Sequence, residues 1–161
     1  DVFFQARESV NPFYDEVAGI TQNAMDKFAK LTGRAYKLYE YAGAPDADRV
    51  IILMASGAQT AEETAKFMAD QGEKVGVLTV RMYRPFAVED FLGALPESVK
   101  SIAVLDRTKE PGADGEPLYK DVATAVYDGC KNGKAKFACQ PVVVGGRFGL
   151  STSSPTPAGR P

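Results

Sequence analysis

Residues 50–80 read VIILMASGAQTAEETAKFMADQGEKVGVLTV, and this stretch decides the fold. Val50 to Ala55 is a short, almost unbroken apolar run, the composition of a strand buried on both faces of a parallel sheet. Ser56-Gly57 turns the backbone. Thr60 to Gln71 then carries Ala61, Thr64, Ala65 and Met68 at helical spacing and stops at Gly72. Val75 to Val80 is a second run of the buried type, so the three pieces form a β-α-β unit whose crossover is right-handed.

The same rhythm continues on either side. Downstream, Val88 to Leu95 reads as a short helix, Ile102 to Leu105 as a strand, Leu118 to about Asn132 as a helix with Val122, Ala123, Val126 and Cys130 inward, and Pro141 to Val144 as an edge or last strand. Upstream, Tyr36 to Tyr41 alternates as a strand does, with Gly43 ending it. From Tyr14 to Leu31 the residues Val17, Ile20, Ala24, Met25, Phe28 and Leu31 share one helical face, which is expected to pack into the core. The expected fold is α/β, a doubly wound, mostly parallel sheet with helices on both faces. Its expected extent is residues 36–150, preceded over 1–35 by a linker with aromatic anchors and a leading helix, and followed over 151–161, STSSPTPAGRP, by a linker.

Composition narrows the chemistry. With 161 residues, 45% hydrophobic and 25% charged, the chain holds one domain with a substantial core, and no apolar run approaches the roughly 20 residues of a membrane span. Lys and Arg total 19 against 21 Asp and Glu, so there is no basic field for nucleic acid. Two cysteines, Cys130 and Cys139, have neither disulfide-framework nor zinc-site spacing and read as reduced thiols of an intracellular protein. The absence of histidine removes the commonest general base, the commonest metal ligand and every Ser-His or Cys-His nucleophile pair. The chain opens on Asp1 without the basic start or apolar segment of a signal peptide and reads as part of something longer.

Charged and glycine-rich loops leave the carboxyl ends of the expected strands, where open α/β sheets meet ligands and partners. Ser56-Gly57 offers a turn and a helix N-terminus to an anion, but neither GxGxxG nor GxxxxGK[ST] is present, and the turn needs small residues for steric reasons alone. Arg81 and Arg84 flank Tyr83 and either clamp a phosphate or carboxylate or pair with acidic residues inside the domain or across an interface. Asp106, Arg107, Lys109 and Glu110 alternate in sign and are expected to pair with one another. Arg147 lies within Gly145-Gly146-Arg147-Phe148-Gly149.

The strings GRAYKLYEYAGAPDADRVIILMASG (33–57), EKVGVLTVRMYRPF (73–86), LDRTKEPGADGEPLY (105–119) and GGRFGLS (145–151) closely resemble pyruvate:ferredoxin oxidoreductases, including the related pyruvate:NADP oxidoreductases. They match the part after the thiamine-associated first domain, and ARESVNPFYDEV (6–17) resembles the link out of it. The resemblance implies a transketolase C-terminal-like domain II, not catalytic alone, that makes contacts between domains and with a second subunit. The implied whole enzyme is dimeric and decarboxylates pyruvate on thiamine diphosphate and magnesium. It passes electrons through iron-sulfur clusters to ferredoxin, or to a fused flavoprotein domain, and delivers acetyl to coenzyme A, in the cytoplasm or an anaerobic organelle. No cofactor is expected on this segment, since two cysteines cannot make one four-thiolate cluster and no GDG-type diphosphate motif is present. Arg81, Arg84, Asp106, Arg107, Lys109, Glu110 and Arg147 are then interface candidates. The alternative is a module that binds coenzyme A or another phosphate group on Arg81, Arg84, Arg107 or Arg147.

Overall fold

A computed structural model describes residues 1–150; the linker expected over 151–161 lies outside the described residues. The elements run α1 (Val2–Glu8), α2 (Asn11–Thr32), β1 (Tyr39–Gly43), β2 (Arg49–Met54), α3 (Ser56–Asp70), β3 (Val75–Val80), α4 (Val88–Gly93), β4 (Ser101–Asp106), α5 (Pro117–Lys131) and β5 (Val142–Arg147). The five strands form one sheet in the order β1-β3-β2-β4-β5. The pairs β2–β3, β2–β4 and β4–β5 are parallel, and β1 runs antiparallel to β3. This is the α/β, mostly parallel, transketolase C-terminal-like arrangement the sequence predicts.

Alternation along the strands divides the core in two. Even positions of the parallel strands, Val50, Ile52, Leu78, Val80, Ile102 and Val104, join Leu118, Val122 and Val126 of α5 and Phe91 and Leu92 of α4 in the larger cluster. Phe91 is fully buried and meets Tyr39 edge-on at 5.6 Å and Phe86 at 5.1 Å, contacts worth about 0.5–1.5 kcal/mol each beyond the area they bury. On the other face Leu53 and Val77 pack with Ala58 and Ala65 of α3 in a much smaller cluster.

Several expectations are corrected. Residues Val2–Glu8, read as linker, form a helix. The strand expected over Tyr36 to Tyr41 starts at Tyr39 and runs through Gly43, and the last strand continues past Val144 to Arg147. The apolar stripe of α2 enters the core only in part. Ile20, Ala24, Phe28 and Leu31 are exposed, while Val17, Ala18 and Met25 make the contacts with the larger cluster. The helix is thus turned about its axis by roughly one residue, or ~100°. Gln22 holds it there, accepting the Leu38 N–H at 3.3 Å and donating to the Tyr36 carbonyl at 3.1 Å. The run Val50 to Ala55 is also not buried on both faces, because Ile51 is 38% exposed.

Candidate functional site

Because β3 lies on one side of β2 and β4 on the other, the loops after β2 and β4 diverge, and a crevice opens at the strands' carboxyl ends. It has a volume of about 260 Å³ and is lined by Ser56, Tyr83, Asp106, Arg107, Thr108 and Phe148 among others. Of the candidate residues, Asp106 and Arg107 line it.

Asp106, the last residue of β4, is 2% exposed. Its Oδ1 accepts the Leu118 N–H at 2.9 Å and its Oδ2 the Tyr119 N–H at 3.1 Å. It therefore caps α5 from a different element, satisfying N–H groups that the first helical turn leaves without partners. Burial pushes its carboxyl above the usual range, the two N–H bonds pull it back, and the neighbouring Glu116 charge raises it further. The expected mutual pairing of Asp106, Arg107, Lys109 and Glu110 is not what forms. Asp106 serves backbone, Glu110 meets Lys120 at 3.3 Å, and Lys109 donates to the Glu110 carbonyl at 2.8 Å.

Glu116, which the sequence reading passes over, is the hub. It is 3% exposed, its Oε1 is the ion-pair partner of the Arg147 Nε, and its Oε2 accepts the Glu110 N–H at 2.9 Å. The Arg147 contact, ahead of the opposing effect of burial, holds its carboxyl below the ordinary range. The available signal is its place before Pro117, where proline at the start of α5 keeps the preceding residue extended.

Arg81 pairs with Glu40 at 2.7 Å and lies over the Tyr36 ring at 4.7 Å, tying β3 to β1. Arg84 pairs with Asp121 of α5 at 2.7 Å and covers the Tyr83 ring at 4.0 Å. Intradomain pairing, one of the two uses expected of these arginines, is what they show. Arg107 donates its Nε to the Gly149 carbonyl at 3.1 Å and has no carboxylate partner among the described residues. The anion reading of Ser56-Gly57 meets an obstacle, because the space beside Gly57 is taken by the Phe148 ring. A Cβ there would stand 2.8 Å from it.

The cysteines present do not fit an iron-sulfur cluster. Cys130 is half-buried and Cys139 exposed, two thiols where a cluster needs four. No group of three or more potential metal ligands occurs among the described residues. The same residues include no helix long and apolar enough to cross a membrane.

Residues 47–147 match the family profile described as pyruvate:ferredoxin oxidoreductase core domain II. The chain is 56% identical to a pyruvate-flavodoxin oxidoreductase of Nostoc sp. over 98% of its length. It is 52% identical to that of Rhodospirillum rubrum and 51% identical to a pyruvate:ferredoxin oxidoreductase of Moorella thermoacetica, again over 98%. It spans 13–14% of the length of these relatives.

Proposed function

The chain belongs to the pyruvate:ferredoxin oxidoreductase family, and from that membership we propose that these residues form its non-catalytic contact domain. The domain packs against other domains of one long polypeptide and against a second subunit. The whole enzyme oxidatively decarboxylates pyruvate to acetyl-CoA. Thiamine diphosphate, magnesium and iron-sulfur clusters sit on other segments, and ferredoxin, flavodoxin or a fused flavoprotein domain takes the electrons.

One observation carries this reading. The outer face of α2 presents Phe13, Ile20 and Leu31 at 74%, 61% and 85% exposure, and α1 adds Val2, Phe3 and Phe4. A stripe at helical spacing from Phe13 to Leu31, left bare by the described part of its own domain, fits burial against another part of a larger protein.

The test is Ile20→Glu with Leu31→Glu in the full-length enzyme. Native mass spectrometry and gel filtration should show lost or loosened assembly, with pyruvate oxidation per assembled molecule unchanged. Intact assembly with lost turnover would place the stripe in the chemistry instead.

Arg107, which lines the crevice and has no carboxylate partner among the described residues, favours the second reading, a site for coenzyme A or another phosphate group. Arg81, Arg84 and Arg147 are each engaged by a carboxylate of the domain, which leaves that reading one arginine of its four.

A further inference from the structure

The sheet is covered unequally. Ile51, Leu53, Val77, Ala103 and Leu105 face the α3 side, and the register of β5 puts Val142 and Val144 beside them. Ile51 stands in the central strand, opposite Val77 on β3 and Ala103 on β4, where a parallel sheet buries both faces. It is nevertheless 38% exposed, and Val142 and Val144 are 64% and 53% exposed. Between α3 and Phe148 this leaves a groove of about 820 Å³ with Ile51, Ala103 and Val144 among its lining residues. Arg107 also lines it, without a carboxylate partner among the described residues.

Two features on the molecule indicate the occupant. The segment 151–161, STSSPTPAGRP, has no aliphatic or aromatic side chain larger than proline, and so supplies none of the large apolar side chains that such a groove matches. The relatives are some seven times longer than this chain, which is 13–14% of their length, so most of such a polypeptide lies outside these residues. We propose that an amphipathic helix from the remainder of the same polypeptide lies beside α3 across β4 and β5. Its aliphatic stripe rests on Ile51, Ala103 and Val144, and one of its carboxylates meets Arg107. A helix about 10 Å across completes the second layer that a doubly wound sheet requires. This rests on the contact-domain reading and adds to it a particular face, a partner chemistry and a same-chain origin.

The test uses the full-length enzyme carrying Thr64→Cys, on the groove side of α3. Maleimide labelling of that peptide is timed by mass spectrometry in native and urea-unfolded enzyme. Native labelling slower by roughly 100-fold is expected for a covered site, and rates within about threefold of each other would overturn the proposal. Benzoylphenylalanine in place of Val144 then identifies the cover, using dimers mixed from isotopically light and heavy subunits. Cross-links within one polypeptide support the proposal. Light-to-heavy cross-links, or protection with no peptide cross-linked, overturn it in favour of the partner subunit or a small apolar ligand. Leu31→Cys, timed in parallel, separates the two readings. Leu31→Cys protected with Thr64→Cys reactive sinks this inference alone, and both reactive sinks the contact-domain reading as well.

Discussion

The Arg147 guanidinium, at the end of β5, is the ion-pair partner of the buried Glu116 carboxylate at the cap of α5, 31 residues earlier in the chain. Through the Glu110 N–H the same carboxylate holds the loop after β4, so one side chain fixes three segments. The sign of its pH dependence follows. A carboxyl held below its ordinary value of 4.5 contributes stability that is complete above that value and is lost as pH falls through the lower, folded value. Wild type should therefore exceed Glu116→Gln in stability most at neutral pH, with the gap closing in acid. Asp106, held above the ordinary range by burial, acts in the opposite sense. Urea unfolding of both chains between neutral pH and pH ~3 checks this, and a gap that widens on acidification would refute it.

Asp106→Ala strips α5 of its cap and leaves the Leu118 and Tyr119 N–H groups unsatisfied. The expected loss is about 1–3 kcal/mol, read from the urea midpoint at unchanged slope. Asp106→Asn, which keeps one acceptor, should lose less.

Gly57→Ala should change sign with its background. With Phe148 present the new methyl meets the ring, and overpacking of this kind costs about 1–3 kcal/mol. In Phe148→Ala the ring is gone and the next atom, Leu53 Cδ1 at 3.4 Å, is at van der Waals distance, so alanine, the better helix former, should gain up to about 1 kcal/mol. Thermal melts of the four chains give the cycle.

Tyr39, Tyr41 and Tyr83 are all pushed up to about 12, first of all by burial. Their folded forms keep the proton longer than the unfolded chain does, so stability should fall as pH rises from the ordinary value of 10 toward 12. In a spectrophotometric titration the last phenolate absorbance should arrive together with unfolding. Tyr39 is the deepest of the three and accepts the Ala87 N–H at 3.0 Å, so Tyr39→Phe should remove part of that late rise.

Coenzyme A titrated calorimetrically into the chain should give no saturable heat at ligand concentrations up to roughly millimolar, the range of very weak sites. Saturable heat that disappears in Arg107→Ala would establish the phosphate-binding reading.

What could be read in advance was whatever depends on neighbours in sequence. VIILMA and VGVLTV announce buried strands, and Gly72 marks the end of the helix between them. Orientation is different in kind, since nothing local to YEYAG says that it runs against VGVLTV. The unbroken apolar run of β2 reads as burial on both faces, yet the described residues cover one face more fully than the other and leave Ile51 exposed, a difference that no pattern within the run records. On α2 the periodicity locates an apolar stripe of which Val17 and Met25 reach the core, while Ile20, Ala24, Phe28 and Leu31 stay exposed. Glu116 escapes a local reading because its charged partner, Arg147, stands 31 residues further along the chain, and its place before Pro117 says nothing of that pairing.

The strand order has a consequence for how the chain comes to be folded. β1 is made before β2 and β3, yet among the described residues its partner in the sheet is β3, whose last residue is Val80. The local β2-α3-β3 unit closes over a short stretch of chain, whereas β1 waits for its completion. On a ribosome working from the N-terminus, α1, α2 and β1 emerge first and dock last. During that interval the tyrosines of β1 and the bare stripe of α2 are exposed together, and this is the period in which the nascent chain most needs shielding.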